Sequence, residues 1–286
     1  MKQELVRINS IDGIEQVGIL YTPNGITNKI VIHVHGLNGN FYENKFLDTL
    51  AETYTSKNYA FLTFNNRGKD YISEFSKDDT SIIIGGSLER FKDCILDIEG
   101  VINWTREKGY NKITLEGHSY GCNKVLYYYN KKKDDSISKI VLLAPCDIPS
   151  EGKKFLSKEE YKIAKEESTR LVNEGKEYKL IDFSVMANGK IAAGTYYYDF
   201  LPGGENDFIR YAEGENSRSS ILNSTDIPVL ITFGNIDECV LTQPIEIVKK
   251  YLKNNISDCK IEVIDGADHS YTGKYEELGK VIKNNF

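Results

Sequence analysis

Long apolar runs are missing from this chain. No stretch approaches the ~18 to 20 apolar residues that a bilayer-spanning helix needs, and the opening MKQELVRINSIDG lacks the apolar core of a signal peptide. A cytosolic protein without a membrane partner is therefore expected. An excess of positive charge is missing too: 36 Lys and Arg against 42 Asp and Glu give a formal net charge of −6 and a pI near 5.4. Without a basic field to hold a phosphate backbone, nucleic acid is not an expected partner. Cysteine is sparse and scattered. Cys94, Cys122, Cys146, Cys239 and Cys259 make an odd set with no CxxC spacing, which argues against a disulfide framework and against a zinc site, and leaves buried thiols as the expectation. Only four histidines occur, and neither an internal repeat nor a low-complexity linker is visible.

What is present is the composition of a folded enzyme, 40% hydrophobic and 27% charged over 286 residues, a length that fits one large domain carrying an insertion. From residue 29 onward, short β-branched runs alternate with amphipathic segments. KIVIHVHG (29–36), AFLTFNNRG (60–68), KITLEGHS (112–119), KIVLLAPCD (139–147), IPVLITFGNID (227–237) and CKIEVIDGAD (259–268) read as buried strands. Segments 43–57 and 88–108 carry apolar stripes at helical spacing, Phe46, Leu47, Leu50 and Tyr54 in one and Phe91, Ile95, Ile98 and Ile102 in the other. Parallel strands need crossover connections, so this alternation predicts an α/β fold with a mostly parallel twisted sheet and helices on both faces.

Two segments depart from the alternation. ELVRINS and EQVGILYTP, joined by IDGI, predict an antiparallel hairpin at a sheet edge. Between the strand ending near Asp147 and the one starting near Ile227 the chain is too long for a single crossover helix. The expected organisation is a core of residues 1–149 and 227–286 with an inserted cap of 150–226 over the carboxyl ends of the strands, where open α/β sheets place their ligands. Within the cap, 157–179 reads as a helix with a solvated charged face, and Tyr196, Tyr197, Tyr198 and Phe200 are expected to pack the cap onto the sheet.

The stretch GHSYG (117–121) sits between a predicted strand and a predicted helix. In a strand–G-x-S-x-G–helix turn the small flanking residues let the chain bend sharply enough to push the serine out at the top of the sheet. The pentapeptide alone is weak; its context gives it weight. A serine hydroxyl attacks only when a base takes its proton and donors receive the oxyanion. Scarcity of histidine makes the base findable. His33 and His35 end a strand and are expected to brace the loop that follows, while His118 adjoins Ser119 and points elsewhere. His269 remains, in GADHSY after the last predicted strand. Asp237, closing ITFGNID, is the preferred carboxylate to orient it, with Asp147 after LLAPC as the alternative; Asp265 and Asp268 are too near His269 in sequence. The oxyanion donors are expected to be the backbone N–H groups of Tyr120, after the serine, and of Leu37, after Gly36 in HVHGLNGN.

With HG at 35–36, GHSYG at 117–121, GNID at 234–237 and GADH at 266–269 in this order, the chain resembles the α/β-hydrolase superfamily over roughly 29–149 and 227–286. NNRG at 65–68 is similar to the turn many members carry after their next strand. Among small cytosolic members it resembles carboxylesterases of the feruloyl or acyl-ester type. SLERFKDCILDIEGVINW followed by GHSYGCNKVLYYY resembles, more faintly, the group that includes fungal siderophore esterases. The resemblance implies the α/β-hydrolase fold with a nucleophile elbow and a catalytic triad, Ser119 as nucleophile, His269 as general base and then acid, Asp237 as orienter, and an oxyanion hole from the Leu37 and Tyr120 amides. It implies no metal and no organic cofactor. HGLNGN replaces the HGGG of many lipases, which turns the expectation away from long-chain lipid esters. The expected function is that of a serine hydrolase cleaving a carboxylic ester of a small or medium-sized substrate through an acyl-enzyme. A peptidase, amidase or thioesterase of the same fold, or a non-catalytic ligand-binding homologue, are the competing readings.

Overall fold

The computed structural model describes residues 1–186, 189–239 and 242–286. Strands β1 (Lys2–Asn9) and β2 (Glu15–Thr22) form the antiparallel hairpin anticipated at the sheet edge. They are followed by β3 (Lys29–Val34), α1 (Phe46–Ser56), β4 (Ala60–Phe64), a two-stranded hairpin β5 (Ser73–Lys77) and β6 (Thr80–Ile84), α2 (Cys94–Glu107), β7 (Lys112–His118), α3 (Tyr120–Lys132) and β8 (Ile137–Leu143). Between β8 and β11 the chain runs through α4 (Ile148–Lys154), α5 (Lys158–Asn173), a second hairpin β9 (Leu180–Met186) and β10 (Gly189–Ala192), α6 (Ala193–Thr195) and α7 (Ser220–Asn223). Returning to the sheet, β11 (Val229–Gly234), α8 (Ile245–Asn255), β12 (Cys259–Ile264) and α9 (Tyr275–Lys283) complete the chain.

Eight strands pair in the order β1-β2-β4-β3-β7-β8-β11-β12. β2 meets β4 antiparallel, and from β4 to β12 every neighbouring pair is parallel. β3, β4, β8 and β11 carry largely apolar runs because both faces are covered: Ile30, Val31, Ile32 and Val34 of β3 are all fully buried. One face packs Phe46, Leu50 and Tyr54 of α1 with Leu278 and Ile282 of α9. The other packs Ile98 and Ile102 of α2, Val125 and Leu126 of α3, and Val248 and Leu252 of α8. Burial at this scale, about 1.5 to 3 kcal/mol for each large aliphatic or aromatic side chain, fixes the register of the sheet.

Several boundaries differ from expectation for local reasons. The predicted helix over 88–108 begins at Cys94, preceded by a 3₁₀ turn at Phe91–Asp93. In the insertion, α5 starts on a reciprocal capping box between Ser157 and Glu160 and ends at Asn173, short of residue 179. Gly175, at φ +70°, takes the chain out of the helix there. The β5–β6 hairpin was not anticipated at all. Cys94, Cys122 and Cys146 are buried as expected, whereas Cys239 and Cys259 are only partly so, which corrects the reading of all five thiols as buried. Among the described residues no helix is long and apolar enough to cross a membrane.

Candidate active site

The chain turns from β7 into α3 through Ser119, whose backbone sits at φ 56° and ψ −127°, a conformation L-residues adopt only under constraint. The constraint is steric. A Cβ on Gly117 would lie 2.4 Å from the Gly121 carbonyl, and a Cβ on Gly121 would lie 2.1 Å from the Val34 oxygen. Both positions of the pentapeptide therefore need glycine. The Ser119 amide donates to the Leu143 carbonyl at 2.8 Å, and the Cys122 amide to the Ser119 carbonyl at 2.9 Å, so the turn is fixed to β8 and to the first turn of α3.

Two loops at the carboxyl ends of β11 and β12 meet beside this turn. A Cβ on Gly234 would touch the Ala267 oxygen at 2.1 Å, so the loops lie backbone against backbone. The Asn235 side chain laces them, donating to Asp265 at 2.6 Å and accepting from the Gly266 amide at 2.7 Å. His269 Nδ1 lies 3.0 Å from Oδ2 of Asp237, whose other oxygen accepts from the Cys239 amide at 3.0 Å. Asp237 is fully buried and the imidazole is one-fifth exposed, so one ring edge is held and part of the ring reaches the solvent side.

Ser119 and His269 line one cavity of about 200 Å³, together with Leu37, Cys146 and Glu151. The Ser119 hydroxyl lies within hydrogen-bond reach of Cys146 Sγ, at 3.4 Å. Leu37 follows Gly36, where a Cβ would come within 2.9 Å of Ser119 Cβ, so glycine is what allows this loop to close on the serine. Tyr120 is the first residue of α3, at the end where helix N–H groups lack intrahelical acceptors. Among the described residues neither the Leu37 nor the Tyr120 amide donates to another group.

His35 braces the loop as expected. Its Nδ1 is 2.8 Å from the Gly36 carbonyl and its Nε2 accepts from the Asn66 amide at 3.1 Å. Burial, with Lys124 nearby, pushes its pKa down to about 3, so it stays neutral and keeps both bonds. His33 lies deeper, paired with Glu116 at 2.7 Å. His118 does point away from the cavity, but it has a task the sequence reading missed: its Nε2 is 2.9 Å from the His269 carbonyl and its ring lies 4.8 Å from the His269 ring. Burial first, and then the His269 charge, hold it well below the ordinary imidazole range, which makes it a neutral donor to that carbonyl.

Asp147, the alternative carboxylate, is occupied elsewhere. It caps α4 by accepting from Ser150 at 3.1 Å and ties in the Ala212 amide at 2.9 Å, and burial pushes it up to about 6. Asp268 is likewise spent on the Ser270 and Thr272 amides of its own loop. Of the aromatic run, Tyr196 and Phe200 are buried as expected: Phe200 stacks on Tyr120 of α3 with centroids 5.9 Å apart and Tyr196 stacks on Phe200. Tyr197 and Tyr198 are half-buried and face a separate surface pocket, and none of the four lines the Ser119 cavity. Sequence reasoning also missed Cys146, Glu151 and Phe155 as cavity walls, since nothing in a local helical or loop pattern marks which residues turn toward the serine.

Ligand atoms of Asp237, Cys239 and His269 lie within 4.8 Å of one another, close enough for a metal to be considered. Burial holds the Cys239 thiol up at about 11, and His269 Nδ1 is already paired with Asp237, so the group is better described as a hydrogen-bonded carboxylate–imidazole pair beside a protonated thiol.

Comparison with known proteins agrees with this architecture. The profile of the alpha/beta hydrolase fold matches residues 29–270, and the chain belongs to that family. Among solved structures, Est1E from Butyrivibrio proteoclasticus with ferulic acid bound superposes with a TM-score of 0.69 at 19% identity, covering 98% of this chain and 96% of that one. DcsB in complex with its substrate analogue gives a TM-score of 0.71 at 18% identity, covering 99% and 97%. The Pyrococcus furiosus esterase Pf2001 gives 0.61 at 17% identity, covering 99% and 91%. Among curated proteins none matches the sequence significantly.

Proposed function

We propose that this chain is a serine hydrolase that cleaves a carboxylic ester of a small or medium-sized substrate through an acyl-enzyme. The observation that carries the reading is the His269–Asp237 contact of 3.0 Å on loops abutting the strained Ser119 turn, with Ser119 and His269 facing one cavity. In this reading Asp237 holds Nδ1–H of His269, which leaves Nε2 with its lone pair toward the serine. His269 takes the Ser119 proton as Oγ adds to the ester carbonyl. The oxyanion that forms receives the Leu37 and Tyr120 N–H groups, and collapse expels the alcohol, which leaves with the proton from His269. Water, deprotonated by the same imidazole, then adds to the acyl carbonyl and releases the acid and Ser119. No cofactor enters this sequence of steps.

Residues 150–226 act as a cap over the core of 1–149 and 227–286, and Glu151 and Phe155 are its contribution to the cavity wall. The likeness to Est1E, a protein seen with ferulic acid, and to the Pf2001 esterase supports esters over amides. A cavity of about 200 Å³ suits a compact acyl or aryl group rather than a long lipid chain. The test is fluorophosphonate labelling followed by peptide mapping, together with turnover of p-nitrophenyl butyrate. Labelling at Ser119 and loss of both signals in Ser119→Ala is the expected result; undiminished hydrolysis by Ser119→Ala overturns the proposal.

A further inference from the structure

Glu151 stands out among the residues facing the Ser119 cavity. It lies in the insertion on α4, is 1% exposed, and its Oε1 has no hydrogen-bond partner. A buried carboxyl with an unsatisfied oxygen is costly, and such a group on a cavity wall is a receptor for something that enters the cavity. The nearest cation is the Lys154 ammonium, 3.7 Å from that oxygen and beyond hydrogen-bond reach, with Nζ also 5.7 Å from the centre of the Phe155 ring. This corner thus already holds an ammonium between a carboxyl and an aromatic face, the two groups that attract organic cations. Lys154 reaches it from the surface on a flexible stem, so an incoming ammonium can take its place while the lysine swings into water. No lysine or arginine lines the cavity among the described residues, and the other carboxyls acting on Glu151, Asp237 and Asp147, add negative potential.

We propose that Glu151 makes the cavity selective for esters carrying an ammonium group, which displaces Lys154 and pairs with the Glu151 carboxyl. The inference rests on the serine-hydrolase reading and adds the substrate class to it. Burial pushes Glu151 up to about 8, so in the free protein the group resists ionising, and a bound cation supplies the partner that its ionised form lacks. Neutral esters of the same shape gain nothing from it.

The experiment compares p-nitrophenyl heptanoate, 6-aminohexanoate and 6-hydroxyhexanoate on the full chain and on Glu151→Gln and Lys154→Met. The expected kcat/KM ratio of amino to alkyl ester is about tenfold or more in the native chain, falls toward unity in Glu151→Gln, and rises in Lys154→Met. A ratio near unity in the native chain, or one that Glu151→Gln leaves unchanged, overturns the proposal. Equal preference for the hydroxy and amino esters also overturns it, in favour of a receptor for any hydrogen-bond donor. Heptanoate hydrolysis that vanishes in Ser119→Ala tests the hydrolase reading without involving Glu151. Should no ester turn over, calorimetry with methyl 6-aminohexanoate and methyl heptanoate decides the matter: tighter binding of the amine that Glu151→Gln abolishes supports the proposal, and equal or absent binding overturns it.

Discussion

The loops at the carboxyl ends of the sheet and the insertion between β8 and β11 handle buried polar groups in opposite ways. In and around the sheet, ionisable groups are paired at short range: Lys124 with Glu89 at 2.7 Å, Arg67 with Asp97 at 2.9 Å and His33 with Glu116 at 2.7 Å, all essentially buried. In the insertion, Asp199 and Glu151 are buried carboxyls whose closest cations lie at 3.7 Å, and burial pushes both up to about 8. The backbone contrast is narrower. Gly117, Gly121, Gly234 and Gly36 are crowded by neighbouring backbone or by Ser119, and Gly204 between β8 and β11 is crowded in the same way, 2.3 Å from the Tyr198 oxygen, whereas Gly152 beside Glu151 has its nearest neighbour at 3.2 Å. The serine turn is over-determined and can hold strain; the α4 stretch that carries Glu151 is less tightly held and can vary what it presents to a substrate.

The comparison can be broken most sharply at its strained centre. Ser119→Ala is expected to lower kcat/KM for p-nitrophenyl butyrate by about 10⁴-fold or more while thermal unfolding is unchanged or shifts slightly upward, because the substitution removes the nucleophile and no packing. Next in size is a matched pair of glycine substitutions. Gly121→Ala sets a Cβ 2.1 Å from the Val34 oxygen and is expected to cost about 3 kcal/mol or more in urea unfolding. Gly152→Ala meets only Phe200 at 3.2 Å and is expected to cost less than about 1 kcal/mol; equal losses would erase the distinction between the regions.

A pH experiment sharpens the electrostatic side. Asp199 has a folded pKa of about 8 against an ordinary 3.8, because burial outweighs the Phe91 amide and Arg90. A group raised on folding contributes its stability below the unfolded value and loses it as pH climbs through the folded one. Denaturation midpoints should therefore fall from about pH 4 to 8, and Asp199→Asn, which can still accept from Phe91, should gain on the native chain across that window by on the order of a few kcal/mol. A constant difference between the two proteins at all pH values would remove Asp199 as the cause. The smallest expected effect is at His118, whose Nε2 holds the His269 carbonyl. His118→Phe should lower kcat about tenfold with KM little changed, since the loss acts through the placement of the imidazole and not through substrate contact.

Much of the sheet was legible in the sequence because a parallel strand covered on both faces must be largely apolar, and β3, β4, β8 and β11 carry such runs. The elbow was legible too, since only glycine survives at Gly117 and Gly121 and those letters stand in the chain. His269 could be reached by elimination because so few histidines compete with it. Of the chain between β8 and β11, only the helix starting at Ser157 was legible. The β9–β10 hairpin and the inward turn of Glu151 depend on contacts with distant segments, such as Ala192 to Ser87 and Thr195 to Glu89, that no local pattern encodes.

By itself the sequence determined which residue types could bend, pair and be buried: the glycine pairs, the alternating apolar runs, and a serine, an aspartate and a histidine each just past the end of a strand. Only the tertiary structure decided that Asp237 and not Asp147 meets His269, that His118 supports it from behind, and that Glu151 faces the serine. The reason is that steric and hydrophobic preferences act over a few residues of chain. Which of two equivalent carboxylates is free to pair is settled by what else claims it, and the Ser150 and Ala212 amides claim Asp147.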